Sequence, residues 1–414
     1  MAARPAFRQI CVFMLLAAAA VLSSGCSKST VDPGAKNDLH RLERSLKQVA
    51  DQPVNDLRTK PVKSAKPQAK NAASSSLLMK KPPRAIRGIY VTSYVANGSR
   101  MKELIELVDR TELNAMVLDI NSGTGLTAPL RQGGPDGPVR PVPSERKAAK
   151  RYRDVIRELK RKKIYLIARI VTFNNPELAK AAPAWTLKRR DGSIWSDKNG
   201  TRWIDPYKQE SWEYAISLAE YAAGLGFDEI QFDYVRFPEN GAKVDREVKY
   251  ADTHGRSKAQ VIAAFLNQAR TRLHQAGVPI SADVFGMVGS SQDDMGIGQS
   301  WQAIAPAADV ISPMLYPSHY SEGIWGIAHP DLSPGTIVKH ALKDAATRNA
   351  KLRSQGAAAA QIRPWLQSFT ASWIHPHQKY GQAQIREQIL AARQAGIHSY
   401  MLWNSSCRYP EFKT

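Results

Sequence analysis

Asp233 closes a segment, Gly226–Pro238 (GFDEIQFDYVRFP), whose side chains alternate in character. Ile230, Phe232 and Tyr234 suit the side of a strand that packs beneath helices, while Glu229, Gln231 and Asp233 point the other way. Buried strands of α/β proteins usually read apolar on both faces, so a polar column needs a reason. One reason is a hydrogen-bond network inside a barrel, or the wet face of an edge strand. The other is a catalytic carboxylate at position 233. Two more carboxylates, Asp119 and Asp283, end apolar segments in the same way, and Arg169 ends a third. Arg236, Tyr316, Trp365, Trp403 and Asn404 occupy comparable positions. Carboxylates with aromatics, and without clustered Cys or His, are the chemistry of glycosidic bonds. One carboxylic acid protonates the leaving oxygen, and the other attacks the anomeric carbon or activates water. Like-charge proximity raises the pKa of the group that serves as acid. Arg169 can hold the other group ionised, or bind an acidic sugar substituent.

Competing chemistries find little support. The sequence has no HExxH, no GxSxG and no GxxxxGK[ST]. His375 and His377 are two apart and read as loop polarity, so no metal and no cofactor is expected. Of the cysteines, Cys11 lies in an N-terminal leader, Cys26 at its end and Cys407 alone, which excludes a disulfide within the core and a Cys-based metal site.

The elements that would position these residues alternate without interruption from residue 85. Strands are expected at Ala85–Ser93, Ala115–Asn121, Ile164–Val171, Phe227–Phe237, Pro279–Phe285, Asp309–Tyr316, Ile362–Phe369 and Ser399–Asn404. Helices are expected at Arg100–Glu112, Arg151–Lys162, Gln209–Leu225, Lys258–Gln275, Gln299–Ala307, Thr336–Arg348 and Tyr380–Gln394. A Gly/Pro-rich loop spans Gly123–Pro143, and a long loop after the third strand carries Trp185, Trp195 and Trp203. Eight strands alternating with helices predict an α/β fold, a (β/α)8 TIM barrel, with an eighth helix missing or confined to the last ten residues. A doubly wound open sheet is disfavoured, because TSYVANGS after the first strand lacks a Gly-rich dinucleotide fingerprint. In a barrel the C-terminal strand ends line the site, which is where these polar and aromatic residues fall.

Residues 1–26 are a leader: Arg4 and Arg8, an apolar run from Ile10 to Leu22, then Ser23-Ser24-Gly25-Cys26. Thirteen apolar residues are too few for a comfortable membrane span. Leu22 followed by Gly25-Cys26 resembles the lipobox of bacterial lipoproteins, which implies lipidation of Cys26 and a membrane anchor. Residues 27–84 hold 13 Lys/Arg against 5 Asp/Glu and no aromatics, a composition expected to form a disordered basic tether. The formal net charge is +21, of which +11 belongs to residues 85–414. An exported protein of this charge is expected to meet anionic lipid headgroups or an anionic glycan rather than nucleic acid. The expected place is the bacterial cell envelope.

Six segments carry a further resemblance: RGIYVTS, NAMVLDINSGTG, IYLIARIVTFNNP, GFDEIQFDYVRFPENG, ISADVFGM and DVISPMLYPSHY. They resemble a bacterial family described as a "putative glycoside hydrolase domain", related to glycosidase barrels of the α-amylase and α-galactosidase type. The resemblance runs from about residue 85 to 404. It implies a TIM barrel, a nucleophilic Asp at the end of strand four, matched by Asp233, and an acid/base on strand five or six, best matched by Asp283.

Two functions follow as expectations. One is an exported, membrane-anchored glycoside hydrolase, with Asp233 as nucleophile or oxocarbenium stabiliser and Asp283 as acid/base. Its carbohydrate would be bound by Asp119, Arg169, Arg236, Tyr316, Trp365, Trp403 and Asn404. The other is a non-catalytic glycan-binding or envelope-scaffold lipoprotein on the same barrel. The enzyme requires two carboxyl groups facing across a cleft, whereas an ion pair taking up Asp233 with Arg169 or Arg236 would favour the scaffold.

Overall fold

A computed structural model describes residues 82–122 and 143–412, with the side chains of 143–149 excepted. The expected leader, Cys26, nearly all of the tether and nearly all of the Gly/Pro-rich loop lie outside the described residues.

Eight parallel strands form a closed ring: β1 (Arg87–Val91), β2 (Ala115–Asp119), β3 (Tyr165–Val171), β4 (Glu229–Asp233), β5 (Ile280–Phe285), β6 (Val310–Leu315), β7 (Trp365–Gln367) and β8 (Tyr400–Trp403). Closure is made at Trp365, which pairs with Met314 of β6 on one side and Met401 of β8 on the other, while β8 pairs back onto β1. Around the ring lie α1 (Arg100–Arg110), α2 (Pro143–Arg161), α3 (Gln209–Leu225), α4 (Lys258–Gln275), α5 (Trp301–Ile304), α6 (Pro334–Ser354) and α7 (Gln382–Gln394). The protein is a (β/α)8 TIM barrel.

The helices follow their sequence signals. In α1 the buried residues Met101, Leu104, Ile105, Leu107 and Val108 recur at helical spacing and press on the strands. Ser257 and Gln260 close a capping box at the start of α4. Gly226 stops α3 at φ 107°, a left-handed conformation that favours glycine, and turns the chain into β4. Several boundaries differ from expectation. Pro364 cannot donate to the ladder, so the seventh strand divides into Gln361–Ile362 and Trp365–Gln367. The fifth helix shrinks to a single turn, and residues 405–412 form no helix. The loop after β3 is more ordered than its sequence suggested. It folds into a small antiparallel patch through the bridges Thr186–Ile204, Lys188–Ile194 and Ser196–Arg202, and Lys188–Arg189 pairs with Val248–Lys249.

The polar column of β4 lies inside the barrel, at graded depth. Glu229 lies deepest, clamped by Nη1 and Nη2 of Arg363, by the Tyr165 hydroxyl at 3.2 Å and by the Ser281 hydroxyl at 2.6 Å. Gln231 follows, donating to the Ser312 hydroxyl at 3.4 Å. For Glu229 the network reading accounts for the polarity, whereas Gln231 is only half satisfied, its Oε1 being buried without a partner. Removing one member of a buried ion pair strands the other charge. We therefore expect Arg363→Met to destabilise the fold by about 3–5 kcal/mol. The double variant Arg363→Met/Glu229→Gln should recover part of that loss, as measured by urea denaturation.

Candidate active site

The upper end of the barrel is organised by Arg169. Strand register sets Asp119 of β2 beside Arg169 of β3, and Val171 of β3 beside Asp233 of β4. The guanidinium therefore climbs two residues to meet Asp233. Its Nε and Nη2 donate to Asp233 Oδ2 at 3.0 and 2.5 Å, and its Nη1 donates to Asp119 Oδ1 at 2.5 Å. Burial opposes the charge on Arg169, but Asp119 and Asp233 outweigh it and hold its pKa above the ordinary value. Asp119 Oδ2 accepts from the Tyr90 hydroxyl at 2.5 Å and the Ser122 hydroxyl at 2.8 Å. Asp233 Oδ1 accepts from the backbone N–H of Tyr234 at 2.6 Å. Tyr234 takes a left-handed φ of 50°, uncommon for a non-glycine residue, and so ends β4 directly after Asp233.

Asp283, on β5, stands apart from this fork. Its Oδ1 accepts from Trp365 Nε1 at 2.8 Å. Burial pushes its pKa well above the ordinary carboxyl range and the charge of Asp233 pushes it further, while Arg169, the Trp365 bond and Arg363 pull down without prevailing. The proton of the neutral form then has Oδ2 available, since Oδ1 is occupied as an acceptor. Two carboxyl groups thus sit in opposite surroundings. Asp233 accepts three hydrogen bonds, two of them from a cation, whereas Asp283 is buried and bonded to a neutral indole.

Aromatic rings surround the pair. Tyr90 and Trp403 stack at 4.1 Å between centroids, and Arg169 lies over both rings at 5.5 and 5.3 Å. Trp365 meets Trp403 edge-on at 5.5 Å, and Tyr316 lies 6.5 Å from Trp403. Tyr316, His319, Phe369 and Trp373 continue the wall. Trp403, Phe369 and Trp373 keep part of their surface exposed, as sugar-stacking rings must.

The structure thus brings together Asp119, Arg169, Asp233, Asp283, Tyr316, Trp365 and Trp403. Two other expected site residues are spent on loops. Arg236 donates to the Phe237 carbonyl at 3.0 Å and to Glu239 at 3.2 Å, and its guanidinium packs over Phe285, Trp203 and Tyr234. It ties down the chain after β4. Asn404 donates to the carbonyls of Ser368 and Arg408 and accepts from the Ser406 N–H, fixing the turn after β8. Tyr90 was missed because it reads as one more apolar residue of a strand. Its place one residue before the end of β1, where site residues gather, was the available signal. Among the described residues no group of three or more His, Cys, Asp or Glu could hold a metal ion.

Residues 88–409 match a family described as "putative glycosyl hydrolase domain". Among solved structures, the chain resembles a hypothetical protein from Ruminiclostridium thermocellum at 30% identity, with 50% of this chain and 98% of that one covered and a TM-score of 0.39. It also resembles the PgaB (BpsB) glycoside hydrolase domain from Bordetella bronchiseptica at 14% identity, over 78% of this chain and 95% of that one, with a TM-score of 0.52. A chitinase from Chromobacterium violaceum aligns at 13% identity over 77% of this chain and 93% of that one, with a TM-score of 0.43. No curated protein matches the chain. At such identities the likeness to the PgaB domain is one of fold.

The raised pKa of Asp283 has a consequence for stability. A group whose folded pKa lies above its unfolded value contributes stability that is fully present below the unfolded pKa, here about 3.8, and lost as pH rises through the folded one. Asp283→Asn cannot ionise. Its stability relative to the native protein should therefore rise as pH is raised from about 4 toward alkaline values, as read from urea midpoints across pH. Equal pH dependence in both proteins would show that Asp283 titrates normally.

Proposed function

Because the chain belongs to the "putative glycosyl hydrolase domain" family, we propose that it is a glycoside hydrolase whose chemistry is carried by Asp233 and Asp283. The observation that supports this most is the split between the two carboxyl groups. Asp283 is buried and its pKa is raised, so it keeps a proton to give. Asp233 is held by the Arg169 fork and a backbone N–H, as an anion facing positive charge would be. In the proposed reaction Asp283 passes its proton to the glycosidic oxygen as the bond to the anomeric carbon breaks. The Asp233 carboxylate attacks that carbon or stabilises its developing positive charge. Trp365 is a positioning residue that orients the Asp283 carboxyl, and Trp403, Phe369 and Trp373 offer rings to sugar faces.

The proposal extends to the whole chain. Residues 1–26 have the pattern of a lipoprotein leader, so Cys26 would carry the lipid, residues 27–84 would tether the barrel to the membrane, and the protein would act in the cell envelope. The net charge of +11 on residues 85–414 favours an anionic glycan.

One observation favours the second reading, a non-catalytic glycan-binding scaffold. Asp233 is engaged in a buried ion pair with Arg169. The enzyme reading is preferred because, among the described residues, Asp283 makes no ion pair: Arg363 bonds Glu229, and Arg169 bonds Asp119 and Asp233.

Assay of neutral and anionic polysaccharides should find at least one that the wild type cleaves. Asp233→Asn and Asp283→Asn should each lower turnover by about 10²–10⁴-fold. Binding without cleavage by the wild type would establish the scaffold instead, and full turnover by both variants would overturn the assignment to Asp233 and Asp283. Cys26→Ser should move the protein from the membrane fraction to the soluble fraction. An unchanged distribution would refute the anchor.

A further inference from the structure

Beyond the ends of β5 and β6 lies a partly open cleft. One of its walls is on the strand that carries Asp283. Phe285, one of its walls, follows Asp283 by two residues on the same strand and so shares its side of the sheet. His319, another wall, packs on Tyr316 and Phe369 of the aromatic site.

The lining is unsuited to a bare sugar. Met287, Met295, Met314, Ile297 and Phe285 supply an apolar surface, and methionine sulfur is a weak acceptor, so sugar hydroxyls placed there would go unpaired. Fixed charge is scarce as well. Glu239 at the rim is paired with Arg236 at 3.2 Å, and burial holds the His319 ring neutral, with its pKa lowered to about 4. Among the lining residues, one buried side-chain group has no hydrogen-bond partner. Tyr320 is 8% exposed, and its hydroxyl has no hydrogen-bond partner. Its ring is braced by Trp325 at 5.5 Å. Gly286 makes room for the hydroxyl, since a Cβ there would come within 2.5 Å of both the Tyr320 hydroxyl and the Met314 carbonyl.

We propose that this cleft is a subsite for a sugar residue bearing a neutral acyl group. The apolar part of the group lies against the methionines, and its carbonyl oxygen accepts a hydrogen bond from the Tyr320 hydroxyl. A buried hydroxyl without a partner costs stability unless a ligand satisfies it, and an acyl group presents one acceptor on an otherwise apolar body. Methionine side chains are flexible enough to part and admit it. The subsite rests on the glycosidase reading for its place beside Asp283, but its binding chemistry can be tested without turnover.

The test is calorimetric binding on the Asp233→Asn background, which keeps the probe intact. The probes are an N-acetylglucosamine pentamer, its fully deacetylated counterpart and a glucose pentamer. The acetylated pentamer should bind tightest, and Tyr320→Phe should weaken its binding about tenfold, which shrinks its advantage over the other two probes. Tyr320→Phe keeps the ring against Trp325 and removes an unpartnered group, so its Tm should equal or exceed that of the parent. Met287→Trp, which narrows the cleft by another route, should reduce the same preference. Equal affinity for all three pentamers, or acetylated-pentamer binding that neither variant changes, would overturn the subsite. Turnover by the protein with Asp233 intact separates the two ideas. Tyr320-dependent binding without cleavage keeps the subsite and removes the hydrolase, and cleavage without Tyr320 dependence does the reverse.

Discussion

The upper half of the barrel depends on one buried cation. Arg169 is almost wholly withdrawn from water, and a guanidinium so placed is tolerable only if anions meet it with good geometry. Two do, from the strands on either side. That requirement couples the positions of β2, β3 and β4. A slip of one residue in either pairing would turn a carboxylate to the helix side of the sheet and leave the charge unpaired. Tyr90 and Trp403 then cover the guanidinium with their rings, which extends the constraint to β1 and β8. Five of the eight strands are thus tied to one side chain.

A second buried pair, Glu229 with Arg363, lies deeper and has a different character. Every oxygen of Glu229 is occupied, by Arg363, Tyr165 and Ser281, and the network opens to nothing. The upper network has a boundary instead. Asp283 lies at its edge, bonded to an indole and near Asp233, with burial favouring its neutral form. Inside one barrel, depth separates a closed ion pair that joins strands from two carboxyl groups in unequal surroundings. This agrees with the barrel rule that the lower end serves stability and the upper end chemistry.

The loops complete the site by immobilising its rim. The patch formed by residues 186–204 brings Trp203 against Tyr234 and Arg236, and Arg236 in turn holds the chain beyond β4. Trp203 and Trp195 are anchored through their indole nitrogens to Asp197 and Glu247. These tryptophans are structural, although a tryptophan-rich loop near a glycan site could be taken for a sugar platform. The partly exposed rings beside the carboxyl pair come instead from β8 and the segment after β7.

Much of this was legible in the sequence. Eight apolar segments with short strand lengths, separated by amphipathic helices, determine a parallel α/β ring, because the periods of two and 3.6 are set by local backbone geometry. The same periodicity put Asp119, Arg169, Asp233, Asp283, Tyr316, Trp365 and Trp403 at one pole, since strand direction in a parallel barrel follows from chain order alone. Tertiary structure decided how each side chain is used. Arg236 and Asn404 have the residue types of ligand binders, yet their nearest partners are loop carbonyls, and no local pattern distinguishes the two uses. Tyr90 has the pattern of a core residue, and becomes part of the site only because β8 returns beside β1 to bring Trp403 onto its ring. The opposite surroundings of Asp233 and Asp283 depend on partners 64 and 82 residues distant, Arg169 and Trp365. Sequence alone determined where the charges lie along the strands. Their protonation and partners are set by distance and burial across the closed barrel.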